Sequence, residues 1–204
     1  MKLPKEFYLQ PTLDAARALL GKYLVRVLNG EALVCRINET EAYIGAIDKA
    51  CHAYGYRRTK RTEVMFSPGG VAYIYLIYGI YSCLNLVTDA EGEPCAVLIR
   101  GGEVRHGGDT VARNRFGRPL EELTPVQRKN LLNGPGKLCK GLSLTPDQNG
   151  LSLLGKELFV TDSLSELGLE PWPGDEVPPV IAVSKRIGID YAQECADYLW
   201  RFTL

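Results

Sequence analysis

The spacing of apolar positions changes period several times along the first half of the chain, and each change marks an element. Leu13, Ala16 and Leu20 recur at helical spacing between Pro11 and Gly21. This predicts a short helix over 12–20, with proline at its first turn and glycine at its end. From Tyr23 the pattern becomes strand-like, and residues 23–28 and 31–38 flank Asn29-Gly30. That dipeptide supplies the two left-handed positions of a tight type I′ turn, so a β-hairpin is expected. Its second strand runs on into Glu39-Thr40-Glu41-Ala42-Tyr43, where alternation puts Glu41 and Tyr43 on one face. Residues 44–70 show no period and read as a long irregular segment, a length that in a folded domain is usually functional or disordered.

Residues 67–88 carry no charge, and a bilayer-spanning helix needs about 20 apolar residues. Here Pro68, Gly69 and Gly70 open the run, Gly79 splits it, and β-branched and aromatic residues dominate. Two buried strands are expected, and no membrane association. A turn near Glu91-Gly92 leads to a third strand over 96–100. Residues 109–142 read as broken helix: Thr124-Pro125 starts one piece, and Gly134-Pro135-Gly136 makes a tight turn before Lys137. Strands over 158–161 and 180–185 flank a proline-rich loop at 171–179. With no repeat or linker, the reading is one domain over 1–204, of mixed α/β (α+β) class with mainly antiparallel strands.

Composition narrows the function. Of 204 residues, 46% are hydrophobic and 24% charged, as in a globular protein. The 24 basic side chains balance 24 acidic ones, so any nucleic-acid site must be a local cluster of positive charge. Two histidines argue against a histidine-rich metal site, and no metal or cofactor is expected. The six cysteines (35, 51, 83, 95, 139 and 195) form no CxxC pair. The N-terminal segment places charges and prolines where a signal sequence would be apolar. The cysteines are therefore expected to be reduced and mostly buried in an intracellular protein, in the cytoplasm or nucleoid if the source is bacterial.

Seven of the eleven tyrosines (43, 54, 56, 73, 75, 78 and 81) fall between residues 43 and 81, beside Arg57, Arg58, Lys60 and Arg61. Rings that stack on bases and cations that neutralise phosphates suit a nucleic-acid site. The same features also suit a tyrosine-rimmed core beside a solvated basic loop. Glu41, a carboxylate flanked by rings, could act as a general base on water or be an ordinary strand-end residue.

The order of motifs decides between these readings. ETEAYIG (39–45), His52, MFSPGGVAYIYLIYGIYSCLNLV (65–87), AVLIRGGE (96–103), NGPGKLC (133–139) and RIGI (186–189) together resemble the methylpurine (alkyladenine, or 3-methyladenine) DNA glycosylases over nearly the whole chain. Residues 104–130 carry no specific motif. The resemblance implies a curved antiparallel sheet with surrounding helices, and base flipping followed by hydrolysis of the N-glycosidic bond. By the same resemblance Glu41 activates the water and Arg100 positions both. Tyr43, His52 and Tyr75 enclose the flipped base, Asn85 lines its pocket, and Tyr78 fills the gap left in the duplex. Lys137, Arg186 and the 57–61 cluster are candidate phosphate contacts. The implied partner is double-stranded DNA containing damaged purines, met by a monomer with no obligate protein partner. The runner-up is a non-catalytic RNA- or tRNA-binding module of related fold, which would have no need of a buried base. A structural protein with a tyrosine-lined core leaves Arg100 and Asn85 unexplained. For DNA binding, Glu121-Glu122 and the acidic stretch 166–176 must lie away from the nucleic-acid face.

Overall fold

The computed structural model describes residues 1–175 and 180–204. Two short helices, α1 (Lys5–Tyr8) and α2 (Thr12–Ala18), precede the hairpin of β1 (Tyr23–Leu28) and β2 (Glu31–Ile44). Then come β3 (Ala72–Ile77), β4 (Tyr81–Thr88) and β5 (Cys95–His106), helices α3 (Gly108–Phe116), α4 (Pro125–Lys129) and α5 (Pro135–Gly141), and the short strands β6 (Leu158–Thr161), β7 (Ala182–Ser184) and β8 (Arg201–Thr203). The strands form one curled sheet in the order β3-β4-β5-β2-β1-β6, with β8 against β2 and β7 against β8. Every pairing among the described residues is antiparallel.

The first hairpin forms where the local chemistry places it. Asn29 and Gly30 both have positive φ, 51° and 84°, and Leu28 faces Glu31 across the turn. The uncharged run becomes β3 and β4, and among the described residues no helix is long and apolar enough to cross a membrane. At Thr124 a capping box, in which the threonine and Gln127 satisfy each other's backbone N–H groups, starts α4.

Three expectations need correction. Pro135 does not close a turn before Lys137. It opens α5, which contains Lys137 in its first turn, because proline fits a position whose N–H is unpaired anyway. The third strand runs from Cys95 to His106, well past Arg100, and the strand expected over 180–185 is only Ala182–Ser184. Part of the proline-rich loop, 176–179, lies outside the described residues.

β2 is the spine of the sheet. Residues 31–36 pair with β1 along one edge, residues 39–41 pair with β8 farther along that edge, and β5 lines the other. Against β5 the register slips three times, once between Val34 and Cys35 and twice around Glu39: Ile37 faces Gly102, Glu39 faces Gly101, and Thr40 faces Ile99. Asn38 is therefore the extra residue on β2, and Arg100 the extra residue on β5. Such a bulge reverses the alternation of faces. Before it, Leu33, Cys35 and Ile37 lie in the main core; after it, Ala42 does, and the Thr40 hydroxyl donates to the Ala16 carbonyl at 2.8 Å. The bulge thus turns Glu39, Glu41 and Tyr43 off the core face.

Candidate active site

The face to which those three residues turn carries a cavity of about 290 Å³, walled by Tyr43 from β2, Tyr73 and Tyr75 from β3, Asn85 from β4 and Arg100 from β5. His52 and Arg61 close one side from the irregular segment, and residues 187–189 with Tyr191 close another. This is the small end of the range for ligand pockets.

Glu41 is not part of the cavity lining; its fully buried carboxyl group sits behind three residues that are, Tyr43, Arg100 and Ile187. Two hydrogen bonds and an ion pair hold it. The Tyr43 hydroxyl donates to Oε2 at 2.7 Å, the Ile187 backbone N–H donates to Oε1 at 2.9 Å, and Arg100 Nε stands 3.4 Å from Oε1. Burial raises the carboxyl above the usual carboxylate range, while Arg100, the Tyr43 hydroxyl and the Ile187 amide work the other way. The Tyr43 phenol, raised far above its ordinary value by burial and by Glu41, stays protonated and remains a donor.

The aromatic wall is a corner. His52 and Tyr75 meet edge to face with centroids 4.5 Å apart at 77°, and Tyr73 tilts against Tyr75 at 5.4 Å. No base fits between His52 and Tyr75, so the two form one wall together, and Tyr43 lines the cavity from a different strand. Arg61 sits over the Tyr75 ring at 5.0 Å and approaches His52 Nε2 at 3.5 Å. Since a guanidinium only donates, Nε2 accepts and His52 Nδ1–H donates to the Tyr73 hydroxyl at 3.0 Å. Burial and Arg61 push the histidine down to about 4, so it is neutral near pH 7.

Asn85 is buried, and its amide donates to the Tyr73 carbonyl at 3.2 Å and the Cys83 carbonyl at 3.5 Å. Tyr78 is at the opposite extreme. It occupies the loop between β3 and β4 with φ of 54°, followed by Gly79 at 72°, and is 86% exposed at the cavity mouth.

The basic candidates divide. Arg57 and Lys60 are exposed, Arg58 forks onto Glu63 at 2.9 and 2.6 Å, and Lys137 Nζ donates to Asn130 at 3.1 Å. Arg61 belongs to the cavity wall. Arg186 is not a phosphate contact. Its side chain is fully buried, paired with equally buried Asp48, bonded to the Ala42 and Cys195 carbonyls, and placed between the Tyr43 and Trp200 rings at 4.8 and 5.0 Å. Glu121, Glu122 and Glu166 take no part in the cavity, and Glu166 packs against Thr161 of β6, the edge of the sheet farthest from β3. Among the described residues no group of three or more His, Cys, Asp or Glu side chains is placed to hold a metal ion.

A sequence model of the methylpurine-DNA glycosylase family matches residues 6–204. The chain belongs to this family. Among its relatives, proteins named "Putative 3-methyladenine DNA glycosylase" in Alkaliphilus oremlandii, Clostridioides difficile and Desulfitobacterium hafniense are 46%, 44% and 45% identical to it. These matches cover 99%, 98% and 100% of the chain and 95%, 98% and 95% of the relatives. The protein is accordingly a DNA glycosylase, a hydrolase of N-glycosyl bonds in base-excision repair.

Several residues of the glycosylase site had no role in the sequence reading. Tyr73 bonds His52 Nδ1, the Ile187 amide holds Glu41, and Asp48 holds Arg186. Glu39 was visible as the first carboxylate of ETEAY, in phase with Glu41, and that was its only signal.

Proposed function

We propose that this glycosylase acts as a monomer on double-stranded DNA containing damaged purines of the 3-methyladenine and hypoxanthine type, with Glu41 as general base. The observation that carries the proposal is the buried Glu41 carboxylate, held by Tyr43, Ile187 and Arg100 behind the wall of a tyrosine-lined cavity. A pure binding module has no use for such a group.

In this reading the damaged nucleotide leaves the stack and its base enters the cavity, against Tyr43 on one side and the His52–Tyr75 corner on the other. Glu41 takes a proton from water as the water oxygen bonds to the sugar C1′. The C1′–N bond breaks with its electron pair passing to the purine. A purine made cationic by alkylation leaves as a neutral base, whereas hypoxanthine requires a proton on the leaving ring. The ionised carboxylate also stabilises the positive charge that develops on the sugar. Among the described residues no lysine lines the cavity, and the reading has no amine forming a Schiff base. The product is an abasic site in an uncut strand.

The test is Glu41→Gln, which keeps shape and hydrogen-bonding reach but removes the base. Base release from a lesion duplex is expected to fall by at least about a thousandfold, while affinity for that duplex changes little. Release near the wild-type rate would overturn the mechanism. Lost binding together with a lowered melting temperature would make Glu41 a structural residue.

A further inference from the structure

The carboxylate next to the site on the same strand face has no role in the mechanism above. Glu39 is largely buried, and its Oε1 accepts from Arg100 Nε at 2.9 Å and from Arg201 Nε at 2.6 Å. Arg100 is thus nearer to Glu39 than to Glu41, at 3.4 Å. Arg201 lies on β8 and is tied to Ser184 of β7 at 3.0 Å. A chain of polar contacts therefore runs from Glu41 through Arg100 and Glu39 to Arg201 and the C-terminal strands.

Arg100 needs such an anchor. As the extra residue of the β5 bulge it lacks the opposed partner that fixes a strand residue's neighbours. The backbone beside it is Gly101, where an added Cβ would come within 2.8 Å of Asn38 Oδ1 and 3.4 Å of Glu39 Oε2. Asn38, the extra residue on β2, sets the tight limit there, and Glu39 packs at ordinary contact distance beside it.

We propose that Glu39 is a positioning residue for the glycosylase reaction: it takes the Arg100 Nε–H at the bulge and so keeps the cation within ion-pair reach of Glu41, and Arg201 fixes Glu39 from the far side. The inference rests on reading Glu41 as the base. The charged groups facing Glu41 are Arg100, Glu39 and, behind Tyr43, Arg186; those facing Glu39 are Arg100 and Arg201. Glu39 does not line the cavity; it bears on the reaction through its bond to Arg100 and through its negative charge beside Glu41.

The experiment compares Glu39→Gln, Arg201→Gln and Glu41→Gln in single-turnover base release across pH, with affinity for an abasic-analogue duplex measured in parallel. Release requires ionised Glu41, so the rate falls as pH drops through that group's pKa. Removing the negative charge of Glu39 eases ionisation of Glu41, and the acid limb moves to lower pH. Removing the positive charge of Arg201 hinders it, and the limb moves to higher pH. Glu39→Gln is expected to lower the plateau rate by about tenfold, the order of one hydrogen bond to a charged group, and Arg201→Gln by less. Abasic-duplex affinity stays within about threefold of wild type. Opposite limb shifts together with the plateau loss, binding and melting temperature retained, support the proposal; a structural role would lower stability and binding in both variants. A wild-type plateau in Glu39→Gln, or limbs that move together or not at all, overturns it. Should Glu39→Gln not fold, the upward limb shift of Arg201→Gln decides alone. An active Glu41→Gln would refute the mechanism itself, whereas an inactive Glu41→Gln beside an unaffected Glu39→Gln would refute only this inference.

Discussion

In the proposed reading, Asn85 is the side chain that decides which purines the pocket rejects. Stacking cannot separate damaged from normal purines, because every purine presents a π-face to Tyr43 and Tyr75. Guanine differs from hypoxanthine by an amino group at C2, and a rigid wall against that edge excludes it by clash and by an unpaired donor, which costs about 1–3 kcal/mol when buried. Asn85 is rigid because its amide is committed to the Tyr73 and Cys83 carbonyls. Asn85→Ser opens this wall and is expected to raise guanine release from a G·T duplex severalfold over wild type. A ratio of one, with hypoxanthine release also unchanged, would show that Asn85 excludes nothing. Arg186 shows what composition hides at this scale. Sequence marks it as a cation, and only the fold reveals a buried partner, Asp48, 138 residues away. Asp48 left alone in the interior costs about 3–5 kcal/mol, so Arg186→Met is expected to lower the melting temperature by about 10 °C. The salt dependence of DNA binding should keep its slope, whereas Lys60→Ala, if Lys60 meets a phosphate, should reduce that slope by about one. A reduced slope in Arg186→Met would return that residue to the DNA surface.

Among the elements, the β3–β4 hairpin presents Tyr78 to solvent through a loop in which Tyr78 and Gly79 both take positive φ. A bulky residue held out in this way gains nothing from the fold, so its position makes sense against a partner. Stacking a ring into a gap is worth about 1–3 kcal/mol per base. Tyr78→Ser is therefore expected to weaken binding to a lesion duplex and an abasic-analogue duplex by about tenfold or more. Base release from a single-stranded lesion, which has no gap to fill, should barely change. Equal losses on both substrates would assign Tyr78 to the pocket instead. Elements were legible in the sequence where their signal was local. The Asn29-Gly30 turn, the Thr124 cap and the glycine-split uncharged run each rest on a few adjacent residues. The full length of β5 was not legible, because Gly101-Gly102 weakens any strand pattern and the bulge at Arg100 shifts its phase. The strands β7 and β8 are three residues each and exist only through pairing with one another and with β2. Glu41 and Tyr43 were correctly placed on one face. That this face is the cavity depends on the bulge at Asn38, which the alternation alone does not disclose.

Across the whole molecule, the cavity is assembled from segments far apart in the chain: β2, the 52–61 segment, β3 to β5, and residues 187–191. The acidic side chains of Glu121, Glu122 and Glu166 line no part of this cavity. The six cysteines, all unpaired and buried, acquire a meaning at this scale that no single thiol has. Burial pushes Cys35 and Cys51 up to about 12 and raises Cys83, Cys95 and Cys139 as well. The species that attacks electrophiles is the thiolate, and these five thiols are held far from that form. Cys51 and Cys83 even line the cavity without becoming nucleophilic. The agents that methylate purines also methylate exposed thiolates. On the proposed reading of its substrates as alkylated purines, burial keeps these five thiols out of the form that the same alkylating chemistry attacks.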